Sequence, residues 1–192
     1  MSKPKILAFA GSTRVDSFNK KLVKIAAEGA RTAGADVTVI DLRDFSMPLY
    51  DGDLEAKDGI PLNAIKLKKL FLENQGLLIS APEYNSGITG VLKNTIDWIS
   101  RPVPGEGDLA CFDKKVAALV SASPGGLGGI RGLVHVRSIL SNIRVLVLPN
   151  QISIPSAHEA FNTDGTLKDS KRQASVEKLG AELAKILTQL KG

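Results

Sequence analysis

The chain has 192 residues, 43% hydrophobic and 23% charged, which places it with folded domains of ordinary size rather than with disordered or fibrous chains. Its 25 basic and 20 acidic residues leave a formal charge of +5, a balance suited to anionic partners without naming one. The lone Cys111 excludes an internal disulfide, a thiolate metal cluster and a Cys-x-x-Cys redox pair, so redox chemistry would need a bound cofactor.

Taken in order, Lys5–Ala10 is an apolar run that reads as a buried strand, followed by a polar turn and a helix with Leu22, Ile25, Ala26 and Gly29 on its inner face. A second strand is predicted at Asp36–Ile40. A helix centred on Ile65 to Leu72 leads into a third strand at Leu77–Ala81. Ile88, Val91, Leu92, Thr95, Ile96 and Ile99 then fall at helical spacing. Val116–Val120 and Val145–Leu148 read as two more strands, separated by a helix carrying Leu133, Val136, Leu140 and Ile143. Val176, Leu179, Leu183, Ile186 and Leu190 mark a closing helix. Segments 42–62 and 149–166 are long for connections and read as binding loops or subunit contacts.

Strands alternating with helices predict an α/β fold: one domain over 1–192, with a five-stranded parallel sheet of order 2-1-3-4-5 and helices on both faces. In such a sheet a ligand sits above the point where the winding reverses, between strands one and three. The expected site therefore lies in the loops after strands one, three and four. No apolar stretch reaches the roughly 18 residues of a membrane span, and a cytoplasmic protein is expected. Basic residues are dispersed and aromatics are 5%, which leaves little for a nucleic-acid platform.

The loop Gly11-Ser12-Thr13-Arg14-Val15-Asp16-Ser17-Phe18-Asn19 combines a tight strand exit, hydroxyls, an amide, a forked cation and the start of a helix. That set suits a phosphate monoester, although a plain turn with Ser17 as helix cap uses the same residues. It is neither a Walker A loop nor a Gly-x-Gly-x-x-Gly dinucleotide turn. Pro82-Glu83-Tyr84-Asn85-Ser86-Gly87 would offer Tyr84 to a planar ring and exposed amides to its polar edge, or would simply be a turn. Ser121-Ala122-Ser123-Pro124 runs into Gly125, Gly126, Gly128 and Gly129, which let main chain approach a ligand and could form a nest of N–H donors, or a flexible loop.

Together these loops resemble the NAD(P)H-dependent FMN reductase family, the flavodoxin-like group that includes quinone, chromate and azo-dye reductases. The marks are Gly11-Ser12-Thr13-Arg14 with Ser17 and Asn19, then Pro82-Glu83-Tyr84-Asn85, then Ser121 through Gly126. The resemblance implies that Ser12, Arg14, Ser17 and Asn19 hold the FMN phosphate, with Gly11 and Phe18 beside them. It implies that Pro82, Glu83, Tyr84, Asn85 and Ser86 meet the ring, and that Ser121, Gly125 and Gly126 complete the site. It also implies NADPH or NADH as hydride donor, a small-molecule electron acceptor, no metal, and a homodimer or homotetramer. Hydride transfer of this kind needs stacked rings, excluded water and stabilised negative charge, and no catalytic side chain.

The runner-up is a flavodoxin-type electron carrier without nicotinamide oxidase activity. A charge of +5 weighs against a shuttle that docks on basic partners and suits an anionic nucleotide. A hydrolase is disfavoured by the lack of a Gly-x-Ser-x-Gly elbow, and zinc by the wide separation of His135 and His158. Cys111 reads as an inert thiol and Trp98 as packing or interface. A non-enzymatic binding protein on the same fold is the third reading.

Overall fold

In the computed structural model, which describes residues 3–190, the first and last two residues of the expected 1–192 domain lie outside the described part. Strand β1 (Lys5–Ala10) leads to helix α1 (Phe18–Thr32) and strand β2 (Asp36–Ile40). A 3-10 turn at Leu42–Phe45 precedes helices α2 (Gly52–Asp58) and α3 (Leu62–Glu73), strand β3 (Gly76–Ser80), and the two-residue strands β4 (Glu83–Tyr84) and β5 (Gly87–Ile88). Helix α4 (Gly90–Ile99), strand β6 (Val116–Ala122), helix α5 (Ile130–Asn142), strand β7 (Leu146–Ile154), short helix α6 (Ala157–Ala160) and helix α7 (Ser170–Gln189) complete the chain.

The main sheet is parallel with order β2-β1-β3-β6-β7, the predicted 2-1-3-4-5 arrangement. Its central strands are apolar throughout because both faces are covered. Along β1 the alternation sends Ile6, Ala8 and Ala10 into the core under α1 and α7, and Leu7 and Phe9 into the core under α3, α4 and α5. A Cβ at Gly29 or Gly180 would overlap main chain of the opposite helix, so the α1–α7 crossing depends on both glycines. No described helix is long and apolar enough to cross a membrane.

Several boundaries differ from expectation. Ile88 belongs to β5 rather than to α4, because the Thr89 hydroxyl accepts from Leu92 N–H and starts the helix there. Leu190 lies past the end of α7 and is 64% exposed, so the inner stripe stops at Leu187. Helix α5 ends at Asn142, which leaves Ile143 as its C-terminal flank. The last strand runs to Ile154, absorbing the first part of the supposed 149–166 loop. Its register shifts between the positions paired with Ala117 and Leu119, around Pro149, which lacks an N–H for the ladder. Arg137 clasps this irregular edge by donating to the carbonyls of Val147 and Leu148.

Segment 42–62 is likewise anchored rather than loose. Asn94 and Trp98 of α4 both donate to the Pro48 carbonyl, and Tyr50 packs edge-on against Trp98. The buried Trp98 is thus a packing residue. Glu55 accepts from Arg101 Nε at 2.9 Å and from the Tyr50 hydroxyl at 3.0 Å. The Arg101 bond holds the Glu55 carboxyl below its ordinary range despite opposing burial, with the Tyr50 bond assisting. A group whose folded pKa is depressed stabilises the fold at neutral pH, and that contribution disappears as pH falls through its folded value. Glu55→Gln should therefore lower stability at pH 7 and converge with the parent protein as pH drops below the usual carboxylate range. Urea titrations at stepped pH would read this, and a constant gap would contradict it. Burial pushes the Cys111 thiol up, in keeping with an inert cysteine.

Candidate active site

The loops after β1, β3 and β6 meet at the carboxyl end of the sheet, where the winding reverses. Ser12, Arg14, Ser17, Phe18 and Asn19 from the first, Pro82, Glu83 and Tyr84 from the second, and Ala122, Ser123 and Pro124 from the third line one narrow cleft of about 50 Å³. That volume suits one tetrahedral anion. Ser12 and Ser17 are buried, and Ser12 Oγ accepts from the Arg14 N–H at 3.2 Å. Ser17 occupies the N-cap position of α1 without making a side-chain capping bond, so it does not act as the simple cap that a bland turn would require. The 15-residue α1 has no acidic residue in its first turn, and its positive end faces the cleft. Arg14 is exposed and has no carboxylate ion-pair partner among the described residues.

Asn19 lines the same cleft, yet its amide is engaged with protein. Nδ2 donates to the Ala122 carbonyl at 2.8 Å, while Oδ1 accepts from Ser80 Oγ at 2.8 Å and Ala122 N–H at 3.0 Å. One side chain on α1 thereby ties together the ends of β3 and β6. Glu83 behaves similarly: its carboxylate pairs with Arg131 at 3.2 Å and accepts from Gly132 N–H at 3.0 Å, fastening the second loop to the start of α5. Tyr84 is 53% exposed beside the cleft, and Asn85 and Ser86 form the turn between β4 and β5 with φ of 51° and 63°.

Gly11, Ser121, Gly125 and Gly126 lie outside the cleft lining. Gly11 is packed under Leu92 and its carbonyl accepts from the Thr89 hydroxyl. Ser121 is fully buried and donates to the Ala81 carbonyl at 2.7 Å. The glycine loop divides into two pairs. Gly128 and Gly129 have φ of 63° and 90°, and a Cβ on either would strike Ile154 or Ser121. Gly125 and Gly126 are exposed, and an added Cβ would meet only Ser123 Oγ at 3.8 Å in the first case and nothing in the second. Protein packing therefore does not explain the missing side chains at Gly125 and Gly126. Within this loop Gly125 N–H turns to Ser123 Oγ and Gly128 N–H to the Gly125 carbonyl, so these two donors are taken by the protein.

Sequence reading missed Ser80, Thr89 and Arg131 as supports of these loops. Ser80 had a visible signal, since a hydroxyl ending the buried run Gly76–Ser80 needs a partner.

A family model for NADPH-dependent FMN reductases matches residues 4–159. An NAD(P)H-dependent FMN reductase of Pseudomonas aeruginosa is 33% identical over 189 residues, covering 98% of this chain and 97% of that protein. A probable NADPH:quinone oxidoreductase of Oryza sativa is 31% identical, covering 98% and 91%. Among solved structures, a flavoenzyme NAD(P)H:(acceptor) oxidoreductase from Paracoccus denitrificans superposes with a TM-score of 0.78 at 25% identity, covering 98% of each chain. An anion-sized cleft at a helix start, a glycine pair left open beside it, and a family match across most of the chain agree, and the chain belongs to the NADPH-dependent FMN reductase family.

Proposed function

We propose that the protein is an FMN-dependent oxidoreductase that takes hydride from NAD(P)H and reduces quinones or similar small acceptors. The observation that carries this reading is the convergence of Ser12, Ser17 and Arg14 on a cleft of anion size at the α1 N-terminus. The donor set fits the FMN phosphate: two hydroxyls, a forked cation and a helix dipole of the right sign. Bound FMN would supply a two-electron carrier able to accept hydride from a nicotinamide and pass electrons onward. The chain's part is to bind, orient and exclude water. Arg14 and the α1 dipole would hold the phosphate end, and Pro82 and Tyr84 border the space beside the cleft where a ring would lie. The open main chain at Gly125 and Gly126 lets that ring approach. Asn19 and Glu83 hold the three loops at fixed separation, which would let bound rings meet in one geometry.

This reading carries a homodimer or homotetramer in the cytoplasm, with no nucleic-acid partner. Exposed Leu49, Leu62 and Val134 supply apolar surface for a subunit contact.

Anaerobic mixing of the FMN-loaded protein with NADPH or NADH should bleach the flavin absorbance within seconds, and a quinone should restore it. A flavin that binds but resists both nucleotides would instead make the protein a one-electron carrier. In the same assay Arg14→Ala should weaken FMN binding at least about tenfold, the worth of one charge-assisted contact, while the bleaching rate at saturating FMN stays within a few fold. Unchanged FMN affinity would remove Arg14 from the phosphate site.

A further inference from the structure

Ser17 also borders a second, larger cavity of about 580 Å³, within the roughly 300–1,000 Å³ range of small-ligand sites. Loop residue Val15 and Phe45 of the 3-10 turn give it an apolar lining, and Val15 is 69% exposed. The first turns of α1 contribute Lys20, Lys21 and Lys24, while Asp16 comes from the loop before α1 and Asp41 and Asp44 from the end of β2 and the following turn. Lys20 is committed to Asp41 at 2.6 Å. Lys24 is exposed and has no carboxylate ion-pair partner among the described residues. Lys21 Nζ sits 5.9 Å from the centroid of the Phe161 ring, a contact that does not consume its hydrogen-bond donors.

We infer that this cavity binds the adenosine end of the nicotinamide dinucleotide, with Lys21 and Lys24 receiving its ribose 2′-phosphate and so selecting NADPH over NADH. The inference rests on the hydride-transfer reading above. A donor whose nicotinamide lies at the flavin has a second, unreactive half to place, and this cavity adjoins the cofactor cleft through Ser17. Apolar groups at Val15 and Phe45 suit a purine, and the Asp44 carboxylate is an acceptor for its amino group. Two ammonium groups suit a phosphate dianion as point charges. The neighbouring Lys20–Asp41 pair is closed on itself and neutral, so it neither attracts nor repels that phosphate strongly.

The test uses FMN-loaded protein and calorimetric binding of adenosine 2′,5′-bisphosphate and adenosine 5′-monophosphate. The parent protein should bind the bisphosphate at least about tenfold more tightly, as expected for a charge-assisted phosphate contact. The double variant Lys21→Glu, Lys24→Glu should lose that preference, and Phe45→Ala should weaken both ligands severalfold. Equal affinity for the two ligands, or a preference that survives in the double variant, would overturn the subsite. Flavin bleaching by NADPH in the same samples separates this outcome from failure of the parent reading. If the parent protein shows the lysine-dependent preference but no bleaching, the subsite stands and hydride transfer falls. If it bleaches with an NADPH KM unchanged by the double variant, only the subsite falls.

Discussion

Replacing Asn19 by leucine, which shares its branched skeleton but not its donors and acceptors, is expected to destabilise the protein by about 3 kcal/mol or more. The substitution leaves Ser80 Oγ, the Ala122 N–H and the Ala122 carbonyl without their buried partner. Each such group costs about 1–3 kcal/mol when it loses its bond inside a protein. For a chain of this size that corresponds to a fall in Tm of about 6–12 °C. Because the same side chain fixes the ends of β3 and β6 against α1, FMN affinity should fall with stability. Thermal unfolding with and without FMN measures both effects. Parent-like stability would mean that the three loops are held by something else.

The second large effect separates the two glycine pairs. Gly129→Ala should cost about 2–5 kcal/mol, from forcing a side chain into left-handed backbone and from driving its Cβ into the Ser121 hydroxyl. Displacing Ser121 also strains its bond to the Ala81 carbonyl at the root of the second loop. Gly126→Val should change stability by no more than about 0.5 kcal/mol, since nothing lies near the added Cβ. It should nonetheless weaken FMN binding, because the new side chain stands on the open surface offered to the ring. Urea unfolding and FMN titration of both variants read the contrast. A Gly126→Val protein with ordinary FMN affinity would place the ring elsewhere.

The contrast also shows what kind of information each glycine carried. Four glycines within residues 125–129 look equivalent in the sequence, and a cofactor-facing loop was a fair expectation for all of them. Two prove to be demanded by the entry into α5 and by contact with Ser121 and Ile154, which are distant in sequence or hidden in the sheet. Glu83 followed the same course. Its place in a loop of ligand-binding type was legible, but its carboxylate is taken by Arg131 and Gly132, almost fifty residues further along.

The sequence by itself determined the five strands of the main sheet, the five longer helices, the parallel order with its reversal between β1 and β3, and the three loops that meet at its carboxyl end. Those features follow from local periodicity, turn residues and the handedness of βαβ connections, all of which are written within short stretches of chain. Only the tertiary structure decided which polar groups face a ligand and which bind the protein to itself. Asn19 and Ala122 stand 103 residues apart, and no local rule pairs them. The same holds for the lysine-lined cavity, whose walls come from α1, β2 and the turn after it. A side chain's neighbours, and with them its role, exist only once the distant strands have been brought together.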